Sequence, residues 1–148
     1  MPPLPRGGQV WYHLPMARED DVLAANEAFY AAFDAGDIEA MDALWADKHN
    51  VACIHPGWVA LATREDIIDS WRSILESPHA PSIRCASPIA TVLGGMGFVV
   101  CSEILSGGEL LATNIFVCEA GIWKICHHHA APVAQRIVVA STPSDEIN

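Results

Sequence analysis

Positive charge is scarce in this chain. Of its 148 residues only 8 are Lys or Arg, against 18 Asp or Glu, for a formal net charge of −10. Nucleic-acid binding rests on neutralising phosphates with Lys and Arg, so that class is excluded, and an anionic membrane surface is disfavoured for the same reason. Long apolar runs are also missing. None approaches the roughly 20 consecutive apolar residues of a membrane span, and Met1-Pro-Pro-Leu-Pro-Arg-Gly-Gly lacks the apolar core of a signal peptide. There is no C-x-x-C pair. The cysteines are Cys53, Cys85, Cys101, Cys118 and Cys126, an odd set that suggests neither a disulfide framework nor a cysteine zinc site. Within apolar runs a free thiol acts as a small hydrophobe, and a reducing cytoplasm is the expected compartment. Charged residues make up 18% of the chain and apolar residues 51%, which excludes a disordered polymer.

What is present reads as one domain, with residues 1–18 as a Pro/Gly-rich arm carrying Trp11 and Tyr12, residues 19–132 as the folded unit, and residues 133–148 as a tail with a short apolar run at 137–140. A chain this long buries roughly 68–70% of its unfolded surface, enough for a core without staples. Val22, Asn26, Phe29 and Phe33 recur at helical spacing, predicting a helix over 19–35 that stops at Gly36. Asp37 caps a second helix over 38–46. Val51 to His55 reads as a short strand ended by Pro56-Gly57. Thr63-Arg-Glu-Asp66 opens a third helix, marked by Ile67, Ile68, Trp71, Ile74 and Leu75. Four apolar segments follow, near 83–93, 96–106, 109–119 and 122–131, separated by glycine-containing joints that signal hairpins. Helices segregated from a mostly antiparallel sheet define an α+β fold. A sheet that long curls, and helices closing one side of the curl leave a hollow.

The runs Phe29-Tyr-Ala-Ala-Phe-Asp-Ala-Gly-Asp37, Met41-Asp-Ala-Leu-Trp-Ala-Asp47, Cys53-Ile-His-Pro-Gly57, Arg64-Glu-Asp-Ile-Ile-Asp-Ser-Trp71, Ala112-Thr-Asn-Ile-Phe116 and Gly121-Ile-Trp-Lys-Ile-Cys-His-His-His129 together resemble the SnoaL-like, ketosteroid isomerase-like branch of the nuclear transport factor 2-like superfamily. The resemblance implies a cone: a curved sheet wrapped over three helices, a pocket at the wide end, the last strand beside the first, and a homodimer formed through the outer face of the sheet. It does not fix the activity, because the superfamily holds isomerases, polyketide cyclases, dehydratases, transport adaptors and the association domain of calcium/calmodulin-dependent kinase II. At the positions that carry the isomerase set, this chain has His55 for the basic carboxylate, Phe29 for a tyrosine donor (with Tyr30 adjacent), and Asn114 for a protonated aspartic acid.

Candidate chemistry follows. His55 shares a strand face with Val51 and Cys53; facing the hollow it is a base titrating near neutrality, or else a structural histidine tied by its ring nitrogens. In the triplet His127-His128-His129, strict alternation puts His127 and His129 on the face of Trp123 and Ile125, and His128 opposite. We expect His127 and His129 to line the pocket, as hydrogen-bonded histidines and not as ligands of a metal. Asn114 either donates to a ligand's developing charge or holds a histidine. Glu103 is expected at an outer or strand-end position facing water. Tyr30, Phe33, Trp45, Trp58, Trp71 and Phe116 are the expected apolar lining, Trp58 as a loop cover at the mouth. Arg64 and Arg72 are expected to pair with surface acids. The expectation is a pocket for a small, mostly apolar carbonyl- or hydroxyl-bearing molecule, with no cofactor and no metal. The alternative is a non-catalytic association module.

Overall fold

The computed structural model describes residues 18–134; the arm with Trp11 and Tyr12 and the apolar run at 137–140 lie outside the described residues. Helix α1 spans Glu19–Ala35, with Glu19, Asp20 and Asp21 in its first turn, where exposed backbone N–H groups favour negative charge. Its spaced residues Val22, Asn26, Phe29 and Phe33 are all buried. It stops at Gly36, whose φ of 62° suits a residue without Cβ. Helix α2 spans Ile38–Leu44, its N-terminus capped by the Asp37 carboxylate, which accepts from Ala40 N. It ends short of Ala46 because Trp45 turns extended and bridges to Ile125. Helix α3, Arg64–Leu75, starts at Thr63, whose hydroxyl accepts from Asp66 N.

The strands are β1 (Ala52–Ile54), β2 (Arg84–Leu93), β3 (Met96–Leu105), β4 (Gly108–Glu119) and β5 (Ile122–Pro132). They form one curved sheet in the order β1-β5-β4-β3-β2, a meander from β2 to β5 with β1 added parallel to β5. The α+β architecture, the short first strand and its place beside the last are as expected. The inner face of the sheet carries Cys53, Val99, Cys101, Ala112, Asn114, Phe116 and Ile125, all buried. Helix α1 packs on this side against β2, β3 and β5. The approach is close at Gly97, where a Cβ would sit 2.8 Å from Val22 Cγ2.

One irregularity decides the site. Between β4 and β5, Ile115 pairs with His127, but Phe116 pairs with Ile125. Cys126 is therefore the extra residue of a β-bulge, and a bulge shifts every later side chain to the other face. Ile125 points inward before it, and His128 and Ala130 point inward after it, all three buried. His127 and His129 lie on the outer face, opposite Ile115 and Thr113.

Candidate functional site

His55 follows directly on β1, and the Val51, Cys53, His55 alternation holds: all three are buried. Its Nε2 lies 2.9 Å from Ser70 Oγ on α3, and that hydroxyl donates to the Ile67 carbonyl at 2.6 Å. Two indoles stand edge-on to the imidazole, Trp71 at 4.7 Å and Trp58 at 4.8 Å between ring centres. This dry setting favours the uncharged ring and pushes His55 down from 6.5 to about 4.

His128 is the second imidazole. Its Nδ1 lies 2.6 Å from Asn114 Oδ1, and its ring centre is 6.4 Å from that of His55. Burial, then the neighbouring imidazoles His55, His127 and His129, push it down to about 3. The third group is Glu103, which faces inward and is 2% exposed. Tyr30 Oη donates to Glu103 Oε1 at 2.8 Å. Burial raises the Glu103 carboxyl above its ordinary range, and the Tyr30 hydrogen bond opposes this only in part. His128 Nε2 stands 3.9 Å from Glu103 Oε1, too far for a hydrogen bond. Desolvation favours the uncharged form of each, so we read the pair as neutral and not as an ion pair.

These three groups open on one cavity of about 240 Å³, whose remaining walls are Phe29, Phe33, Pro56, Trp58, Trp71, Ile74, Pro81, Ile83, Leu105 and Leu110. It is an apolar pocket with a few converging polar groups, the usual composition of a small-molecule site. A larger depression of about 690 Å³ opens between α1 and the start of β2, but no imidazole reaches it.

Of the expected residues, His55, Phe33, Trp58 and Trp71 come together at the cavity, with Trp58 half exposed at its edge. Asn114 and Tyr30 do not line it: Asn114 is fully buried, and Tyr30 borders the larger depression beside α1. Asn114 Nδ2 donates to Asn26 Oδ1 at 2.9 Å and to Tyr30 Oη at 3.1 Å, so its amide is fully occupied in holding His128 and Tyr30. Trp45 and Phe116 are fully buried core and do not line the cavity. His127 and His129 do not reach it, because of the bulge; their rings lie 6.5 Å apart on the other face. His128, expected outward, takes their place for the same reason. Glu103, expected to face water, is inward: Val99, Cys101 and Glu103 share one face of β3. Period-two counting from Val99 signals this, but both faces of β3 are apolar, which hides the polarity contrast. Ser70 was also within reach, three residues after Ile67 on the buried side of α3. Arg64 pairs with Asp42 and Asp47, and Arg72 with Asp69, as expected. Among the described residues no group of three His, Cys, Asp or Glu side chains is arranged to hold a metal ion, and no helix is long and apolar enough to cross a membrane.

A curved sheet over three helices with a pocket inside is the architecture of the NTF2-like proteins. Residues 22–135 match the family model of the SnoaL-like domain, and the chain belongs to that family. A crystal structure of a candidate dehydratase from the NTF2-like family of Streptomyces avermitilis is 32% identical, with a TM-score of 0.72 over 78% of this chain and 96% of that one. A candidate calcium/calmodulin-dependent protein kinase type II association domain from Thiobacillus denitrificans is 30% identical, with a TM-score of 0.68 over 76% of this chain and 94% of that one. The F-box protein SKIP8 of Arabidopsis thaliana is 25% identical over 123 residues, 80% of this chain. The chain spans about half the length of that curated relative, 53% of it.

Proposed function

We propose that this domain binds a small, mostly apolar molecule carrying a hydroxyl or carbonyl group and moves a proton on it without a cofactor. His55 is the base, and Glu103 is the second proton-carrying group. The observation that supports this reading is the convergence of His55, His128 and Glu103 on a cavity otherwise walled by aromatic and aliphatic side chains. At neutral pH an imidazole pushed down to about 4 is unprotonated and free to accept, while a carboxyl raised by burial keeps its proton longer than an exposed one. Ser70 fixes the His55 ring, Asn114 fixes His128, and Tyr30 fixes Glu103, so these three are positioning residues. Phe29, Phe33, Trp58 and Trp71 supply binding area and exclude water. Isomerisation moves a proton from one atom of the substrate to another, aldol-type cyclisation starts by removing one before the ring bond forms, and dehydration removes one while the hydroxyl leaves, protonated, as water; the likeness to the Streptomyces avermitilis protein suits the last.

The test is exchange of the α-protons of cyclohexanone in heavy water, followed by NMR. The protein should accelerate it, and His55→Gln should lose the acceleration. Equal rates in the two proteins, with cyclohexanone shown to enter the cavity, would remove His55 as base.

A second reading concerns assembly and is compatible with the first. The outer face of the sheet exposes Ile89 and Leu111 beside half-buried Val100 and Ile115. Together with the likeness to the Thiobacillus denitrificans protein, this supports a homodimer through that face. Light scattering of purified protein should give twice the chain mass. The cysteines Cys53, Cys85, Cys101, Cys118 and Cys126 are free, which suits the cytoplasm.

A further inference from the structure

The hydrogen bonds around the cavity can be followed donor by donor, and they leave a particular vacancy. Ser70 has one hydroxyl proton, and it goes to the Ile67 carbonyl. Ser70 Oγ then accepts from His55 Nε2 at 2.9 Å, with Cys53 Sγ as a longer second partner of the same nitrogen at 3.7 Å, so the proton of the neutral His55 ring sits on Nε2 and Nδ1 is a bare lone pair. At His128 the logic runs through Asn114. The Asn114 amide nitrogen donates to Asn26 Oδ1 and to Tyr30 Oη, so the atom facing His128 Nδ1 is the carbonyl oxygen. His128 then carries its proton on Nδ1, and Nε2 is bare, with no hydrogen-bond partner among the described residues. The same network branches onward: Asn26 Nδ2 donates to Cys85 Sγ, and Tyr30, accepting from Asn114, donates to Glu103.

We infer that the pocket takes a ligand that donates hydrogen bonds, a small uncharged ring bearing two hydroxyl groups, one for His55 Nδ1 and one for His128 Nε2. This rests on the proposed function and narrows its hydroxyl-or-carbonyl class to the hydroxyl. A carbonyl could accept from the Glu103 carboxyl but would leave the lone pairs of both rings unpaired, which is costly in a dry site. A carboxylate is disfavoured further, because no Lys or Arg lines the cavity. The size agrees: an apolar cavity of about 150 Å³ holds benzene, and this one, of about 240 Å³, leaves room for ring substituents.

The test compares resorcinol, its dimethyl ether and benzoate by NMR titration of the full chain at neutral pH, observing the His55 and His128 ring signals. Resorcinol should bind at least about tenfold tighter than either, a difference of about 1.4 kcal/mol. Equal or tighter binding of the ether overturns the inference and leaves the proposed function standing. If none of these three, nor cyclohexanone, moves the cavity signals, the proposed function falls and the inference with it. A second measurement needs no ligand. Long-range nitrogen–proton NMR should find His55 protonated on Nε2 and His128 on Nδ1; the opposite tautomer at either ring overturns the assignment.

Discussion

Acidification from about pH 8 to about pH 5 should cost this fold about 4 kcal/mol through two imidazoles alone. The sign follows from proton counting. His55 titrates near 4 and His128 near 3 when folded, against 6.5 for an unperturbed ring. Between the folded and unfolded values the unfolded chain binds more protons, so stability falls as pH drops through that window and is regained above it. At about pH 5 an unfolded imidazole gains about 2 kcal/mol from protonation, while the buried ring gains almost nothing, and two rings double the difference. Against a total of about 5–15 kcal/mol for a domain, that loss is large. Urea unfolding midpoints of wild type and His55→Gln at both pH values would measure it. The substitution removes one titrating ring and keeps a donor for Ser70. The pH-dependent loss should shrink by about 2 kcal/mol in the variant. An unchanged loss would mean that His55 is hydrated and titrates normally in solution, which would refute the dry pocket on which its role depends.

Other outcomes follow from neighbouring features. Glu103→Gln keeps an acceptor for Tyr30 but removes the ionisable group. Because burial raises the folded carboxyl, the wild-type chain loses stability as pH rises above the unfolded carboxylate value, so the variant should gain stability at alkaline pH, gain nothing at acid pH, and lose proton transfer. Denaturant midpoints and the ketone exchange assay read the two effects separately. Gly97→Ala places a methyl 2.8 Å from Val22 Cγ2, a stiff and fully buried neighbour; it should destabilise by about 1–3 kcal/mol in thermal or urea melts. Trp58→Ala should weaken resorcinol binding several-fold with little loss of thermal stability, since Trp58 is 48% exposed.

The fold was legible because local signals agreed. The helical spacing from Val22 to Phe33, the Thr63 cap and the glycine joints each fixed an element, and the meander followed from their order. The site was legible where alternation was short and undisturbed, as at Val51, Cys53 and His55. It failed at His127, His128 and His129 because the bulge at Cys126 has no glycine or proline to announce it, and because identical residues on both faces carry no contrast. It failed at Glu103 because an acid held by one tyrosine deep in a sheet depends on α1 packing across β3, a pairing between residues 73 positions apart.

Three imidazoles in succession make the inward slot tolerant of backbone error. Were the extra residue of β5 to vanish, His127 and His129 would swing inside and His128 would leave, so either arrangement presents at least one ring nitrogen to the interior. Repetition here keeps a polar contact on the inner face with the bulge or without it.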